Sequence, residues 1–239
     1  MATQNQNAVK VQAPVCLDDF ALQPNSRYKL ESILDLTLPF PDNGVCGIIL
    51  YGLYGTGKTT MANLLPGLID TALSDPNAHN NPTGLILDTT GPYVDYYACA
   101  QGQNGAQLTQ QIQNRTQLIS LNNSSNHFVI MDEVDNLTDA AQASLKAIMD
   151  CRHGVFIMTT NDINKIDKGV VNRSHVIHML AAHAQHWLPL VKRVITSTGA
   201  TCPPDSALLP VLASANGSAR EILTAAIQVA IQIEGAKND

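Results

Sequence analysis

The sequence predicts an α/β protein: a parallel five-stranded sheet covered by helices, followed by a small all-helical domain. Three observations lead there. Short aliphatic and β-branched runs alternate with amphipathic stretches through most of the chain, the pattern of a parallel sheet buried on both faces. One run leads directly into the glycine-rich "GLYGTGKT" (Gly52 to Thr59), placed between a strand pattern and a helix pattern. After about Ala181 the strand-like runs stop and only helical patterns remain.

The elements follow in order. "MATQNQNAVKVQAP" lacks the apolar core of a secretory signal and reads as part of a disordered polar lead over residues 1–16. "CGIILYG" reads as the first strand and "KTTMANLLPGLI" as the helix after it. The polar loop "DPNAHNNPTG" leads to a strand at "TGLILDT" and a helix over "AQLTQQIQNRTQLISL". Strands at "NHFVIMDE" and "HGVFIMTT" flank a helix at "TDAAQASLKAIMD", and "SHVIHML" supplies the fifth strand. Glycine and proline signals then separate three helices, "AHAQHWLPLVKRVITSTG", "DSALLPVLASANG" and "SAREILTAAIQVAIQI". The expected division is an α/β core over 17–181 and a helical domain over 182–239.

Composition narrows the function. Only 14% of the 239 residues are charged, against about 25% in an average protein. The net charge of −6 excludes a protein that coats nucleic acid by bulk electrostatics. No apolar run approaches the roughly 20 residues that span a bilayer, so no membrane role is expected. The five cysteines lie far apart without a CxxC pair, which favours reduced thiols in a cytoplasmic compartment over a disulfide or zinc framework.

The stretch Gly52–Thr59 fits GxxxxGK[ST], and its context matches the pattern. Gly52, Gly55 and Gly57 let backbone N–H groups, including those of Thr56 and Thr60, turn toward phosphate oxygens at a helix N-terminus. Lys58 is placed to reach the β- and γ-phosphates of ATP, and the Thr59 hydroxyl to ligate Mg²⁺. "HFVIMDEVD" ends a strand in two acids: Asp132 for the Mg²⁺ side and Glu133 as general base toward water. Asn161, ending "FIMTTN", is placed to hold that water or the γ-phosphate, because parallel strands present their C-terminal ends to the ligand.

Taken together, "GLYGTGKTT", "FVIMDEVDNLTDAAQASLKAIMD", "FIMTTNDINKI", "VVNRSHVIHM" and "ANGSAREILTAAIQ" resemble the AAA+ ATPases, in particular clamp-loader subunits of the replication factor C and phage type. The likeness runs in order from about Leu17 to Ile233. It implies that Lys58 and Thr59 belong to Walker A, that Asp132 and Glu133 form Walker B and that Asn161 is sensor 1. It also implies that Arg220 is the sensor 2 arginine, reaching the γ-phosphate from a helical lid, and that Arg173 is an arginine finger completing a neighbour's site. Leu53 and Tyr54 stand where Pro-Pro is common, and Asn172 and Ser174 stand where the family has Ser and Cys around its arginine. Clamp-loader subunits carry a helical collar after the lid, and with the sequence ending at Asp239 none is expected here.

The resemblance therefore implies an Mg²⁺-dependent ATPase acting in DNA replication in a bacterial or phage-infected cell. Its expected partners are copies of itself or homologous subunits in a ring or spiral, DNA bound weakly by the monomer, and a replication partner protein. Two alternatives are a superfamily 3-like viral DNA helicase and a non-catalytic nucleotide-binding scaffold subunit. Arg115, Lys146 and Arg152 are candidate DNA contacts. His175, His178, His183 and His186 lie close in sequence, but no Cys or carboxylate completes a metal set. Cys151 reads as an inert loop residue.

Overall fold

A computed structural model of the chain describes residues 13–75, 77, 92–99, 105–151, 153–180, 183–197, 200–215 and 217–238. Five parallel strands form one sheet: β1 (Gly47–Tyr51), β2 (Val94–Ala98), β3 (His127–Asp132), β4 (Gly154–Thr160) and β5 (Ser174–His178). Their spatial order is β2-β3-β4-β1-β5. Helices α1 (Pro24–Leu34), α2 (Lys58–Ser74), α3 (Gly105–Thr116), α4 (Asp139–Ile148) and α5 (Lys168–Asn172) accompany the sheet. Helices α6 (Ala184–Ser197), α7 (Asp205–Ser214) and α8 (Ala219–Asn238) follow it.

The sheet is covered on both faces, as the unbroken apolar runs require. Successive strand residues point to opposite faces, so each strand feeds two cores. Ile48, Leu50, Phe128, Ile130 and Ile157 pack with α1 and α2 through Leu30, Met61 and Leu65. Ile49, Val129, Met131, Phe156 and Met158 pack on the other side with α3 and α4 through Ile112 and Leu145. A third, separate core joins the last three helices through Trp187, Val191, Leu212 and Ile222.

Two elements differ from the expected ones. The strand expected at "TGLILDT" lies outside the described residues, and the strand beside β3 is Val94–Ala98, pairing Ala98 with Asp132. Its sequence, "VDYYA", is half-exposed and carries aspartate, so it lacks the buried aliphatic signature of the inner strands. Helix α1 carries no strong apolar stripe. Its task is to cover a sheet edge: Ser26 Oγ donates to the carbonyl of His178 at 2.6 Å and Lys29 Nζ to that of Val176 at 3.2 Å. These alternate carbonyls of β5 would otherwise present an open pairing edge.

Candidate nucleotide site

The site forms where β1, β3 and β4 end, at the carboxyl edge expected to hold ligands in such sheets. The chain leaves β1 through Gly52, whose φ is +152°, and passes Gly55 (+77°) and Gly57 (+87°) before α2 begins. A Cβ on Gly52 would lie 2.4 Å from the Met179 carbonyl oxygen, so only glycine lets the loop pass β5. Gly57 is left-handed and caps α2 without a side-chain hydrogen bond. The first-turn N–H groups therefore have no side-chain acceptor at the cap and keep their capacity for an anion.

Lys58 is buried beneath this loop and donates to the carbonyls of Gly52 at 2.8 Å and Leu53 at 2.7 Å. Burial holds its ammonium below the ordinary lysine value, against the opposing pull of Asp132, Asp135 and Glu133. Thr56 Oγ1 closes the turn on Leu53 at 3.0 Å. Thr59 Oγ1 donates to Asp132, 3.0 Å from Oδ1 and 3.2 Å from Oδ2. The helix start and the β3 carboxylate thus meet.

Two further hydroxyls hold Asp132. Thr159 Oγ1 donates to its Oδ1, and the Tyr96 hydroxyl donates to its Oδ2 at 2.9 Å. Thr159 also accepts from the Glu133 backbone N–H at 2.9 Å, so one buried hydroxyl ties both acids to β4. Glu133 itself is left-handed at φ +58°, ψ +53°, a conformation that costs a non-glycine residue on the order of 1 kcal/mol or more. Its carboxylate accepts from Asn136 Nδ2 at 3.2 Å. Sequence reasoning missed Thr159, Tyr96 and Asn136. For Thr159 a signal existed: a pair of threonines closing an otherwise apolar, fully buried strand.

A cavity of about 380 Å³ brings Lys58, Thr59, Asp132, Glu133, Asn161 and Arg220 together, with Gly55, Gly57 and Thr60 in its wall. Arg220 arrives from the first turn of α8, whose start is fastened to the loop: the Ala219 N–H donates to the Gly55 carbonyl at 2.8 Å. A second, largely apolar cavity of about 220 Å³ adjoins it, sharing Gly57, Thr60, Ala219 and Leu223 as common wall. Its remaining sides include Pro14, Val15, Phe20, Trp187 and Val194. Ala13, Pro14 and Val15, expected in the polar lead, thus form part of the wall of this cavity. Asp19 secures them, accepting from the Val15 N–H at 2.6 Å and pairing with Arg193 of α6.

Arg173 lies elsewhere. It precedes β5, and its carbonyl accepts from Cys46 and Gly47 at the start of β1. The loop of Gly52 to Lys58 begins at the other end of β1, roughly 16 Å away at about 3.3 Å per residue. The guanidinium pairs with Asp150 at 2.9 Å, which raises its already high pKa further. Among the described residues no three His, Cys, Asp or Glu side chains form a metal cluster. His178 stacks on Tyr51, while His175 packs near Phe40. Arg115 lies 3.9 Å from Asp95, Lys146 is half-buried, and Arg152 lies outside the described residues. All five cysteines are free thiols, and no helix among the described residues is long and apolar enough to cross a membrane.

Comparison with known proteins agrees with the fold. The chain is 24% identical over 181 residues to the replication factor C large subunit of Methanosarcina mazei, covering 74% of this chain. It spans only 26% of that protein's length. Among solved structures, the Holliday junction branch migration motor RuvB of Thermotoga maritima superposes with a TM-score of 0.65 at 15% identity, over 94% of this chain and 67% of RuvB. A variant of the same RuvB reaches 0.69 at 15% identity with the same coverage. That likeness concerns the fold. The profile of the ATPase family associated with various cellular activities matches residues 48–181, more than half of the chain, and the protein belongs to this AAA family.

Proposed function

We propose that the protein is an Mg²⁺-dependent, clamp-loader-like ATPase whose sites are completed between subunits and which acts on DNA or a DNA-bound partner in replication. The observation that carries this reading is the convergence of Lys58, Thr59, Asp132, Glu133, Asn161 and Arg220 on one cavity, with Arg173 at the opposite end of the sheet. The proposed division is a core over 17–181 and a lid over 182–239.

In this reading the polar cavity takes the triphosphate and the adjoining apolar cavity takes the base. Lys58 exchanges loop carbonyls for phosphate oxygens. Thr59 and Asp132 supply hard oxygen donors, the ligand chemistry that Mg²⁺ prefers alongside phosphate and water. The metal, when bound, offsets charge on the phosphates. Glu133 takes a proton from the attacking water, Asn161 orients that water, and Arg220 reports the γ-phosphate to the lid. Arg173 is too far to serve its own cavity, which suits a residue that acts in a neighbour's.

ATP turnover by the parent and by Lys58→Ala tests the enzyme reading, with DNA present and absent. Turnover that vanishes in the variant supports it; equal turnover in both contradicts it. An unwinding assay on duplex DNA separates a loader from a helicase of the viral kind.

A further inference from the structure

Asp132 is held by three hydroxyls from three different elements. Thr59 comes from α2, Thr159 from β4 and Tyr96 from β2. A carboxylate offers about four lone-pair sites over its two oxygens, and its terminal torsion is intrinsically soft. Thr159 holds Oδ1 from the β4 side, which restrains the torsion through one oxygen only. Tyr96 holds Oδ2 at 2.9 Å from the β2 side, so the same torsion is restrained through both oxygens.

The three hydroxyls are not equivalent. Thr59 is the one whose oxygen turns to the metal in the reading above, leaving Thr159 and Tyr96 as the lasting anchors. Tyr96 is the donor in its bond and Asp132 Oδ2 the acceptor. Its ring stands on the edge strand and is 47% exposed, so the core does not depend on it.

We infer that Tyr96 is a positioning residue for the metal-side carboxylate: its hydroxyl orients Asp132 toward the place where Thr59 and Asp132 would hold Mg²⁺. The inference rests on the proposed Mg²⁺–nucleotide site. It differs from a packing role, because it places the effect in one oxygen and in metal dependence alone.

The test compares the full chain with Tyr96→Phe, using a fluorescent ATP analogue titrated with Mg²⁺ and again in excess EDTA. Mn²⁺ binding followed by electron paramagnetic resonance gives a second readout. Outer partners of metal ligands are worth about 10-fold or more in metal affinity. Tyr96→Phe is therefore expected to raise the half-saturating Mg²⁺ and Mn²⁺ about 10-fold while leaving metal-free nucleotide affinity unchanged. A metal requirement within about twofold of the parent's, well below that range, would overturn the inference. So would a parallel loss of metal-free and metal-dependent binding, which marks a structural role. Absence of any metal-dependent nucleotide binding in the parent would overturn the site reading along with it.

Discussion

The backbone N–H of Ala219 donates to the carbonyl of Gly55 at 2.8 Å, joining the first turn of α8 to the phosphate-binding loop. Gly55 can make this contact because it has no side chain: a Cβ there would lie 2.7 Å from Ser218 Oγ. The loop that would wrap phosphate is thus in direct contact with the helix that carries Arg220. In the proposed reading, this hydrogen bond would carry a change in loop conformation to α8.

Gly55→Ala should therefore disturb both. Its φ of +77° costs an L-residue on the order of 1–2 kcal/mol, and the clash with Ser218 adds to that. We expect a fall in Tm of roughly 2–4 °C per kcal/mol lost and nucleotide affinity weakened by about tenfold, equivalent to 1.4 kcal/mol. Adding Ser218→Gly relieves the clash but not the backbone strain, so it should restore only part of the affinity. Thermal melts and analogue binding on the two variants check this.

Lys58 makes a prediction of the opposite sign for stability. Its pKa is lowered in the folded chain, chiefly by burial. The protonated side chain therefore costs the fold stability at neutral pH. That cost fades as pH rises through the lowered value toward the ordinary lysine value. Lys58→Met should melt no lower than the parent at pH 7 while losing nucleotide binding. Its advantage should shrink as pH is raised. A variant that melts well below the parent at pH 7 contradicts the assignment.

Thr159→Val removes one methyl-sized hydroxyl that serves both acids. It leaves the Glu133 N–H without its acceptor and Asp132 without one donor. An unsatisfied buried group of this kind costs about 1–3 kcal/mol. Turnover should fall further than stability alone explains, because Glu133 loses its hold on β4. Thr159→Ser keeps the hydroxyl and should retain most activity, measured as kcat in parallel with Tm.

These predictions also show what could be read from the chain. The Lys58–Thr59 and Asp132–Glu133 pairs were legible because their chemistry is encoded in short contiguous runs. The inner strands β1, β3 and β4 were legible for a similar reason, since double burial leaves an unbroken apolar signature, and the edge strand β5 was legible from its short Val176–Ile177 run. Helix α1 and strand β2 were not, because each sits at a sheet edge and trades apolar patterning for contacts such as Ser26 to His178. Tyr96 reaches Asp132 only through the β2–β3 register, with Ala98 beside Asp132, a juxtaposition no local spacing reveals. The apolar cavity escaped for the same reason: Pro14, Trp187 and Leu223 meet there from distant parts of the chain.

Arg173 bears on the central claim, that activity belongs to the interface between subunits. Its bond reaches the exposed carboxylate of Asp150 and is worth no more than about 1 kcal/mol, so Arg173→Ala should fold and bind nucleotide as the parent does. A guanidinium supplied in trans contributes on the order of 10³–10⁵ in rate, so turnover by Arg173→Ala alone should fall by at least ~10³. The most direct measurement is ATP turnover by Arg173→Ala and Lys58→Ala chains, separately and mixed in equal amounts. Each alone should be inactive, and the mixture should recover part of the parent rate, because an intact Lys58 cavity then meets an intact Arg173. Normal hydrolysis by Arg173→Ala alone, or a mixture as inactive as its components, would contradict the account.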